Sequence, residues 1–345
     1  MSRCLQLARL GEYYVAPNPM VGAVLVEISE TADSIGKKSI ASGRILGEGW
    51  HRQFGGPHAE VNCFRDAESH GFTDFSRATL FVSLEPCSHY GKTPPCARLI
   101  ISKQVQRVVV GVLDPNPHVA GRGVQMLREA GIEVIVGVEE AACRELNKRF
   151  LCLHERHRPY VILKWAQTLD GFLDTCRTVE QAASQGPLLI SNAVTKQLVH
   201  QMRAENMAIM VGTRTALLDN PSLKTTRWSG RNPVRVVLDR RSVIPRDGKL
   251  FSADAETLVY QDTDYRHILA DLAERNIHSL LVEGGATLFQ TILASHIWDE
   301  MQVEVSDISI GSGVPAPTLP AGAQHLMTVH GHKMYKFLHR DLENC

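Results

Sequence analysis

The chain has 345 residues, 44% hydrophobic and 21% charged, which fits a globular protein long enough to form two hydrophobic cores. Its 37 basic and 37 acidic residues balance, which argues against a general nucleic-acid binder because such proteins usually carry a basic excess. No run approaches the roughly 18 apolar residues of a membrane span, and the N-terminal residues lack the apolar core of a signal peptide. Eight cysteines do not make a disulfide scaffold at this length, so we expect a reducing, cytoplasmic setting.

Strands and helices alternate along the first half of the sequence. Apolar runs predict strands at 21–26, 43–50, 80–84, 105–112 and 132–136, and the segments between them predict helices at 2–12, 58–69, 95–103, 121–130 and 139–150. The polar segment 27–42 is expected to form an exposed hairpin excursion. The alternation predicts an α/β domain whose sheet lies between helical layers.

Three residues of the first half have the side chains of a zinc site: His58, Cys87 and Cys96. One imidazole and two thiolates suit Zn²⁺ and leave one position open, as in a catalytic site. Glu60 follows His58 by two residues and is expected to act as acid and base. A His-x-Glu followed by Pro-Cys and a second Cys is typical of zinc nucleobase deaminases, although here eight residues separate the cysteines.

The predicted elements bring these ligands together. His58 and Cys96 fall in the first turns of two helices, whose N-termini stabilise thiolates, and Cys87 lies just after a strand. The alternative is a structural zinc site, or none. A structural site normally has a fourth protein ligand, for which the nearby candidates are His51, Cys63 and His89.

A second pattern begins after a basic hinge at 154–159. Strands are predicted at 160–165, 208–212, 234–238, 257–260, 279–282, 299–306 and 325–341, and helices at 191–204, 264–275 and 286–294. Ser191 is expected to cap the first of these helices. The pair Gly284-Gly285 ends a strand and opens a helix, an arrangement that can hold a phosphate. A plain turn is the alternative, and a G-x-G-x-x-G fingerprint is absent, so a Rossmann fold is only weakly indicated.

The first half resembles the deaminase half of the bifunctional riboflavin-biosynthesis deaminase/reductase family. The resemblance rests on Pro17-Asn18-Pro19-Met20-Val21-Gly22, His58-Ala59-Glu60, the run Glu85-Pro86-Cys87-Ser88-His89-Tyr90-Gly91-Lys92-Thr93-Pro94-Pro95-Cys96, and the segment 114–123. It implies that Asn18 reads the pyrimidine edge. His89 and Lys92, in the long loop between the cysteines, are expected to meet a substrate phosphate. A turn for Asn18, a solvated lysine for Lys92 and a structural turn for 114–123 are the alternatives.

The second half is similar to the reductase half of that family. The matching segments are 164–171 (Lys-Trp-Ala-Gln-Thr-Leu-Asp-Gly), 211–221 (Val-Gly-Thr-Arg-Thr-Ala-Leu-Leu-Asp-Asn-Pro) and 282–285 (Val-Glu-Gly-Gly). The resemblance implies cofactor-binding roles for Gln167, Thr215, Asp219, Gly285, Ala286, Thr287 and Leu288, and substrate-binding roles for Arg203, Leu223, Arg227 and Glu283. Arg203 could bind a phosphate bidentately, with a surface helix arginine as the alternative. Arg240 is a candidate for the 2′-phosphate of the cofactor, with a solvated turn as the alternative.

The sequence departs from the family pattern at two places in the second half. Leu189 stands where the family has a tryptophan, so an aromatic face for the cofactor is missing. The family spacing would place an arginine at 226, which is Thr226, and Arg227 follows one residue late. These departures make the reductase assignment weaker than the deaminase assignment.

The resemblance implies an α/β fold throughout: a cytidine-deaminase-like α/β/α sandwich at 1–150 and a dihydrofolate-reductase-like domain at 155–345. It implies one Zn²⁺, NADPH and a phosphoribosyl-pyrimidine substrate, which would be deaminated and then reduced to a ribityl compound. We expect a cytoplasmic homo-oligomer that contacts neither nucleic acid nor membrane. A tRNA-type deaminase, and a second domain that serves only as a scaffold, are the alternatives.

Overall fold

A computed structural model describes residues 1–32, 38–89, 94–116, 120–182, 184–262, 264–319 and 322–339. The chain divides into two compact units, Met1–Arg156 and His157–Cys345. In the described part of the chain, no helix has both the length and the apolar character needed to cross a membrane.

The first unit combines one sheet with six helices in its described residues. Its strands are β1 (Gly22–Ala32), β2 (Lys38–Trp50), β3 (Ala78–Leu84), β4 (Arg107–Val112) and β5 (Glu133–Val136). Its helices are α1 (Ser2–Arg9), α2 (Ala59–Ser69), α3 (Cys96–Ser102), α4 (Arg122–Glu129), α5 (Glu140–Leu146) and α6 (Lys148–Arg156). The predicted alternation of strands and helices is therefore confirmed.

The sheet of the first unit has the order β2-β1-β3-β4-β5, with β1 antiparallel to both neighbours and the last three strands parallel. Alternate residues of each strand face opposite helical layers. Ala23 and Leu25 pack with helices α2, α3 and α4, whereas Val24 packs with α1. Cys143 of α5 packs against the ends of β3 and β4. The sheet is thus buried on both faces, as predicted.

The second unit is built on a larger, mostly parallel sheet. Its strands are β6 (Tyr160–Gln167), β7 (Phe172–Asp174), β8 (Ala208–Val211), β9 (Val234–Leu238), β10 (Thr257–Tyr260), β11 (Ser279–Gly284), β12 (Glu300–Val305), β13 (Val314–Pro315), β14 (Gln324–Val329) and β15 (His332–Leu338). Its helices are α7 (Ala193–Glu205), α8 (Thr213–Asp219), α9 (Tyr265–Glu274) and α10 (Ala286–Ser295).

Eight of these strands form one sheet in the order β10-β9-β8-β11-β6-β12-β15-β14, and β7 pairs separately with β13. The six strands from β10 to β12 are parallel, and β15 and β14 are added antiparallel. Central strands such as Ser279–Gly284 are almost continuously buried, as expected for parallel strands covered on both faces.

Several predicted boundaries are wrong. The segment predicted as one helix, 139–150, forms α5 and α6, which are separated at Asn147. The first three residues of the predicted hinge 154–159 belong to α6, so only 157–159 link α6 to β6. The run 325–341 forms two strands rather than one, because His330 and Gly331 adopt positive φ angles and reverse the chain. Strands β1 and β2 extend into the polar excursion 27–42.

Asn192, not Ser191, caps α7. The side-chain oxygen of Asn192 accepts the backbone N–H groups of Val194 and Thr195, each at 2.9 Å. The Ser191 hydroxyl instead donates to the buried carboxylate of Glu304 at 2.6 Å. The predicted cap is therefore wrong by one residue, because a partner distant in sequence binds the serine.

Candidate active sites

Three separate elements deliver the predicted metal ligands to one point. His58 is the N-cap residue of α2, Cys96 is the first residue of α3, and Cys87 lies three residues beyond β3. Their ligand atoms all lie within 4.8 Å of one another. His58 Nδ1 is 3.4 Å from the sulfur of Cys96 and 3.7 Å from that of Cys87. Tetrahedral zinc with ordinary Zn–N and Zn–S bonds requires about 3.5 Å between nitrogen and sulfur, so these residues fit the metal.

The surroundings favour a thiolate at Cys87. The backbone N–H of Cys96 donates to the Cys87 sulfur at 3.3 Å. Hydrogen bonding from Cys96, then from His58, lowers the pKa of the Cys87 thiol well below its usual value despite partial burial. A helix N-terminus supplies part of this stabilisation, as the sequence predicted.

Glu60 lies in the first turn of α2, beside these ligands, and is only 3% exposed. Burial, then the charge of Cys87, raises the pKa of the Glu60 carboxyl to about 7. A carboxyl group with such a pKa can accept and return a proton near neutral pH. The structure thus places an acid–base group where the sequence analysis expected one.

A cleft of about 260 Å³ opens over the ligands and is lined by, among others, Asn18, His51, Glu60, His89 and Asn116. His51 Nδ1 lies 3.0 Å from the carbonyl oxygen of Pro57, which can only accept. His51 Nδ1 therefore carries the proton, and its Nε2 accepts the Asn18 side-chain N–H at 3.0 Å. This contact leaves the Asn18 amide oxygen as an acceptor for a ligand. Lys92 lies outside the described residues.

Glu85 organises one wall of this cleft and was not identified from the sequence. Its buried carboxylate accepts the backbone N–H groups of Asp114, Gly121 and Val124 at 2.9 to 3.2 Å. These bonds tie the start of α4 and the segment carrying Asp114 to the end of β3. Burial, with a contribution from Glu85, raises the pKa of Asp114 to about 6. The position of Glu85 directly after an apolar strand is the sequence feature that could have identified it.

The second unit contains a larger cleft of about 550 Å³ at the carboxyl ends of β6, β8 and β11. Ligands bind at this end of parallel α/β sheets. Gly285 lies here with φ of 96°, and a Cβ on Gly284 would come within 3.2 Å of Thr215. The Gly-Gly turn is thus packed closely against the start of α8.

The predicted cofactor and substrate residues divide into two groups. The residues that line this cleft are Arg203, Thr215, Asp219, Arg227, Glu283, Gly285 and Ala286. The residues outside its lining are Gln167, Leu223, Thr287 and Leu288. Gln167 accepts the indole N–H of Trp165, and Leu288 belongs to the hydrophobic core. Leu223 is buried with φ of 54°.

Arg203 is bound to Glu283 rather than left free for a phosphate. Its Nε and Nη2 donate to the two carboxylate oxygens at 2.9 and 2.6 Å, and Nη1 donates to the carbonyl oxygen of Lys224 at 3.0 Å. Burial acts to raise the pKa of Glu283, but the charge and hydrogen bonds of Arg203, aided by Lys164, outweigh it and lower the pKa. Glu283 is therefore ionised in the cleft at neutral pH.

Lys164 also lines the cleft, and the sequence motifs indicate no role for it. It interrupts the apolar run of β6, and a charged residue within a buried strand is the signal that could have identified it. Burial lowers the pKa of Lys164, although the nearby Glu283 and Glu304 oppose this shift. A lysine with a lowered pKa in a cleft is suited to proton transfer.

The two departures from the expected motifs can now be located. Leu189 lines the cleft with 71% of its surface exposed, so an aliphatic side chain occupies the place of the expected indole. Arg227 also lines the cleft although it follows one residue late. The backbone N–H of Thr226 donates to His200 Nδ1 at 3.1 Å, which fixes the segment before Arg227.

Comparisons with known proteins agree with these two sites. Residues 1–112 match the family model described as "Cytidine and deoxycytidylate deaminase zinc-binding region", and residues 159–336 match the model described as "RibD C-terminal domain". The chain is similar to riboflavin biosynthesis protein RibD of Aquifex aeolicus, at 35% identity covering 91% of this chain and 88% of that protein. It is also similar to the Escherichia coli RibD, at 32% identity covering 100% and 97%.

Solved structures give the same result over nearly the whole chain. A Thermotoga maritima diaminohydroxyphosphoribosylaminopyrimidine deaminase/5-amino-6-(5-phosphoribosylamino)uracil reductase is 34% identical, with a TM-score of 0.82 and coverage of 97% and 96%. RibD of Acinetobacter baumannii is 31% identical, with a TM-score of 0.81 and coverage of 98% and 97%.

The fold and the two clefts define a zinc-dependent deaminase joined to a dihydrofolate-reductase-like reductase domain. The chain belongs to the RibD family and is a bifunctional deaminase and reductase of riboflavin biosynthesis, with Zn²⁺ and NADPH as its cofactors. The predicted family, fold class, activity and cofactors are therefore confirmed. The roles of individual residues remain predictions.

Proposed function

We propose that the first unit deaminates 2,5-diamino-6-ribosylamino-4(3H)-pyrimidinone 5′-phosphate and that the second reduces the ribose of the product, 5-amino-6-(5-phosphoribosylamino)uracil, to a ribityl chain. The observation that carries the proposal is the convergence of His58, Cys87, Cys96 and the buried Glu60 on one cleft. The second cleft lies in the unit that matches the reductase domain model.

In the deaminase site, His58, Cys87 and Cys96 would hold Zn²⁺. When bound there, the metal lowers the pKa of water to about 7 and so supplies a nucleophile at neutral pH. The Glu60 carboxylate would accept one proton from the attacking water and donate it to the ring nitrogen. It would then take the second proton, from the hydroxyl group formed on the attacked carbon, and donate it to the leaving amino group. A carbon–oxygen bond forms, the carbon–nitrogen bond breaks and ammonia leaves. Because burial raises the pKa of Glu60 to about 7, its carboxylate can accept a proton near neutral pH and the resulting carboxylic acid can donate it.

Other side chains around the deaminase cleft would orient the substrate. Asn18 would bind the pyrimidine edge, because it lines the cleft and its side-chain N–H is bonded to His51, which leaves its amide oxygen to accept from a ligand. His89 lines the cleft and would contact the ribose phosphate together with Lys92. The supporting observation is that His89 follows Cys87 by two residues and shares its cleft.

In the reductase site, NADPH supplies hydride to the sugar C1 of a ring-opened, imine-like form. The cofactor would lie along Thr215, Asp219, Gly285 and Ala286, where the Gly-Gly turn opens α10. The predicted contributions of Gln167, Thr287 and Leu288 would have to be made by backbone groups or indirectly, since these residues lie outside the cleft lining.

The substrate of the reduction would face the opposite wall of this cleft. Arg203 and Glu283 would act there as one ion pair, and Arg227, which also lines the cleft, would present its guanidinium to the phosphate. Leu223, which is buried and outside the cleft lining, would support this wall by packing rather than by contact with the substrate. Lys164, whose charge interacts with those of Glu283 and Glu304, can supply the proton that balances hydride addition. Hydride then reaches carbon, and the proton reaches the imine nitrogen.

The domain limits 1–150 and 155–345 form part of the same proposal, and the compact units 1–156 and 157–345 support them. We further propose a cytoplasmic homo-oligomer that does not bind nucleic acid. The balanced charge of the chain supports the last point.

Ammonia release by Glu60→Gln tests the deaminase site. We expect a loss of at least about 100-fold in kcat with zinc content unchanged, because the proton-transfer group is lost. Glu68→Gln is the matched control: Glu68 lies on the same helix α2, but it is exposed and paired with Lys103. Full activity of Glu60→Gln would contradict the mechanism.

NADPH binding by Gly285→Val tests the reductase site. A valine is strained at φ of 96°, and its side chain would approach Thr215, so we expect weaker binding. Gly322→Val, at a similar φ but with open space around its Cβ position, is the matched control. Unchanged NADPH affinity in Gly285→Val would contradict the proposed cofactor position. An unmodified chain that binds no NADPH would instead support the scaffold-only alternative.

A further inference from the structure

Arg177 is a buried arginine in the wall of the reductase cleft, outside the segments 164–171, 211–221 and 282–285 that carry the family resemblance. Its side chain is 1% exposed and bridges two carboxylates. Nε and Nη2 donate to Asp174 Oδ2 at 3.0 and 2.5 Å, Nη2 also donates to Asp219 Oδ1 at 2.7 Å, and Nη1 donates to the carbonyl oxygen of Gln185 at 3.2 Å. A planar guanidinium can span these acceptors at once.

The bridge is fixed from both sides. Asp174, at the end of β7, accepts the backbone N–H groups of Thr175 and Leu188 through Oδ1, each at 2.9 Å. Arg214 of α8 donates to the carbonyl oxygen of Arg177 at 2.6 Å. These contacts hold the Arg177 guanidinium against the carboxylate of Asp219, at the end of α8.

We propose that Arg177 is a positioning residue that orients Asp219 toward NADPH. The proposal rests on the proposed reductase site. Arg177 occupies Oδ1 of Asp219, and among the described residues no donor reaches Oδ2. Oδ2 is thus left to accept a hydroxyl or amide N–H of the dinucleotide, and a carboxylate in this place does not bind the phosphates.

The charges explain why the cleft needs this arginine. Asp174 and Asp219 are bonded to the same nitrogen, so removing Arg177 leaves two like charges facing one another in the wall. The unpaired carboxylates would repel each other and the anionic dinucleotide. Asp219 would then turn away from the position that accepts the ligand.

The test is the dissociation constant of NADPH, followed by fluorescence on the full chain. Arg177→Met is expected to raise it about 10- to 100-fold and to leave ammonia release unchanged, because a charged hydrogen bond and its orientation are lost. Asp174→Asn keeps the Oδ1 acceptor for Thr175 and Leu188 but replaces the acceptor of Arg177 Nε and Nη2 with an amide NH2 group. It is therefore expected to weaken NADPH binding, but less than Arg177→Met, because Arg177 keeps its bond to Asp219. Arg275→Met is the control, since Arg275 pairs with Asp271 on α9, outside the cleft lining.

The double variant Arg177→Met/Asp174→Asn separates positioning from structural support. It removes one of the two unpaired charges, so NADPH affinity is expected to recover at least in part. A purely structural role for Arg177 predicts no recovery. If Arg177→Met does not fold, Arg177→Lys carries the test, because an ammonium cannot span both carboxylates and is expected to weaken binding about tenfold.

Two outcomes overturn the proposal, and a further variant identifies their cause. Unchanged affinity in Arg177→Met, or weakened affinity without recovery in the double variant, contradicts the positioning role. Asp219→Ala distinguishes this failure from a failure of the proposed function. Unchanged NADPH affinity in Asp219→Ala would contradict the cofactor site itself, whereas weakened affinity there with no effect of Arg177→Met contradicts only the role of Arg177.

Discussion

Asn147 pairs with the backbone of Met20 through both ends of its amide. Its Nδ2 donates to the Met20 carbonyl oxygen at 2.8 Å, and its Oδ1 accepts the Met20 N–H at 2.9 Å. Asn147 lies where α5 and α6 meet, 127 residues along the chain from Met20. The pair holds the segment that carries Asn18 into the deaminase cleft.

Asn147→Ala is therefore expected to destabilise the first unit by about 1–3 kcal/mol, because two backbone groups lose their partners. Since the Asn18 segment loses its support, we also expect a higher KM for ammonia release with a smaller change in kcat. Urea unfolding and steady-state kinetics measure the two effects. Asn276→Ala, in the second unit, is the control for deaminase kinetics. Equal stability and an equal KM in Asn147→Ala would contradict this role.

Arg235 supports the second unit in a different way. It is fully buried and donates to the carbonyl oxygens of Ser222, Leu250, Ser252 and Ala255 at 2.8 to 3.2 Å. All four of these acceptors are backbone carbonyl oxygens rather than carboxylates, so Arg235 links the loops that carry them. These loops include the one that leads to Leu223 and Arg227.

Arg235→Met is expected to cost about 3 kcal/mol or more in the free energy of unfolding of the second unit, because buried carbonyl groups lose their donors. Arg240→Met is the matched control, since Arg240 is exposed two residues beyond the end of the same strand, β9. Urea unfolding monitored by tryptophan fluorescence gives both values. A cost below about 1 kcal/mol for Arg235→Met would show that water replaces the guanidinium.

The Arg203–Glu283 pair predicts a pH dependence of stability. The pKa of Glu283 is lowered in the folded chain, so its ion pair contributes fully above the unfolded pKa, about 4.3. The contribution is lost as pH falls through the lower, folded pKa, because the unfolded state then binds the proton more readily. The stability difference between the unmodified chain and Glu283→Gln should thus be largest near pH 7 and shrink below pH ~4.

Denaturant unfolding at several pH values measures this difference. Glu274→Gln is the matched control, since Glu274 is an exposed residue of α9 outside the cleft lining. A difference between the unmodified chain and Glu283→Gln that grew as the pH was lowered would contradict the ion-pair account.

Metal removal should act on one activity only. Chelation with subsequent dialysis is expected to abolish ammonia release and to leave NADPH oxidation with the deaminated intermediate unchanged, because all three ligands lie in the first unit. Added Zn²⁺ should restore ammonia release. Cys63→Ser is the control, since Cys63 is buried and donates to the Gly47 carbonyl oxygen, and it should retain stoichiometric zinc. Ammonia release that survives complete metal removal would contradict the assignment.

The sequence was sufficient where residue type and local spacing carry the chemistry. His58, Cys87, Cys96 and Glu60 were predictable because strand ends and helix N-termini place ligands in recognisable patterns. Gly285 was predictable because a Gly-Gly pair after an apolar strand marks a turn into a helix.

The sequence was insufficient where a role depends on a distant partner. Arg177 and Asp219 lie 42 residues apart, and only the fold brings them together. Arg203 and Glu283 were each expected to face substrate, but their ion pair, between residues 80 positions apart, was not expected. The cap of α7 shows the same effect, because Glu304 binds the Ser191 hydroxyl. Such pairings follow from tertiary packing, which local patterns do not encode.

The central claim is that one chain carries two independent active sites that act in sequence. Mixing Glu60→Gln with Gly285→Val tests it most directly, with ammonia release and NADPH oxidation both followed from the diamino substrate. Each variant alone should fail to complete the two steps: Glu60→Gln releases no ammonia, and Gly285→Val releases ammonia but oxidises little NADPH. The mixture should perform both reactions, because product from one chain is reduced by the other. Two-step turnover by Glu60→Gln alone, or no NADPH oxidation when Glu60→Gln is supplied with the deaminated intermediate, would contradict the account.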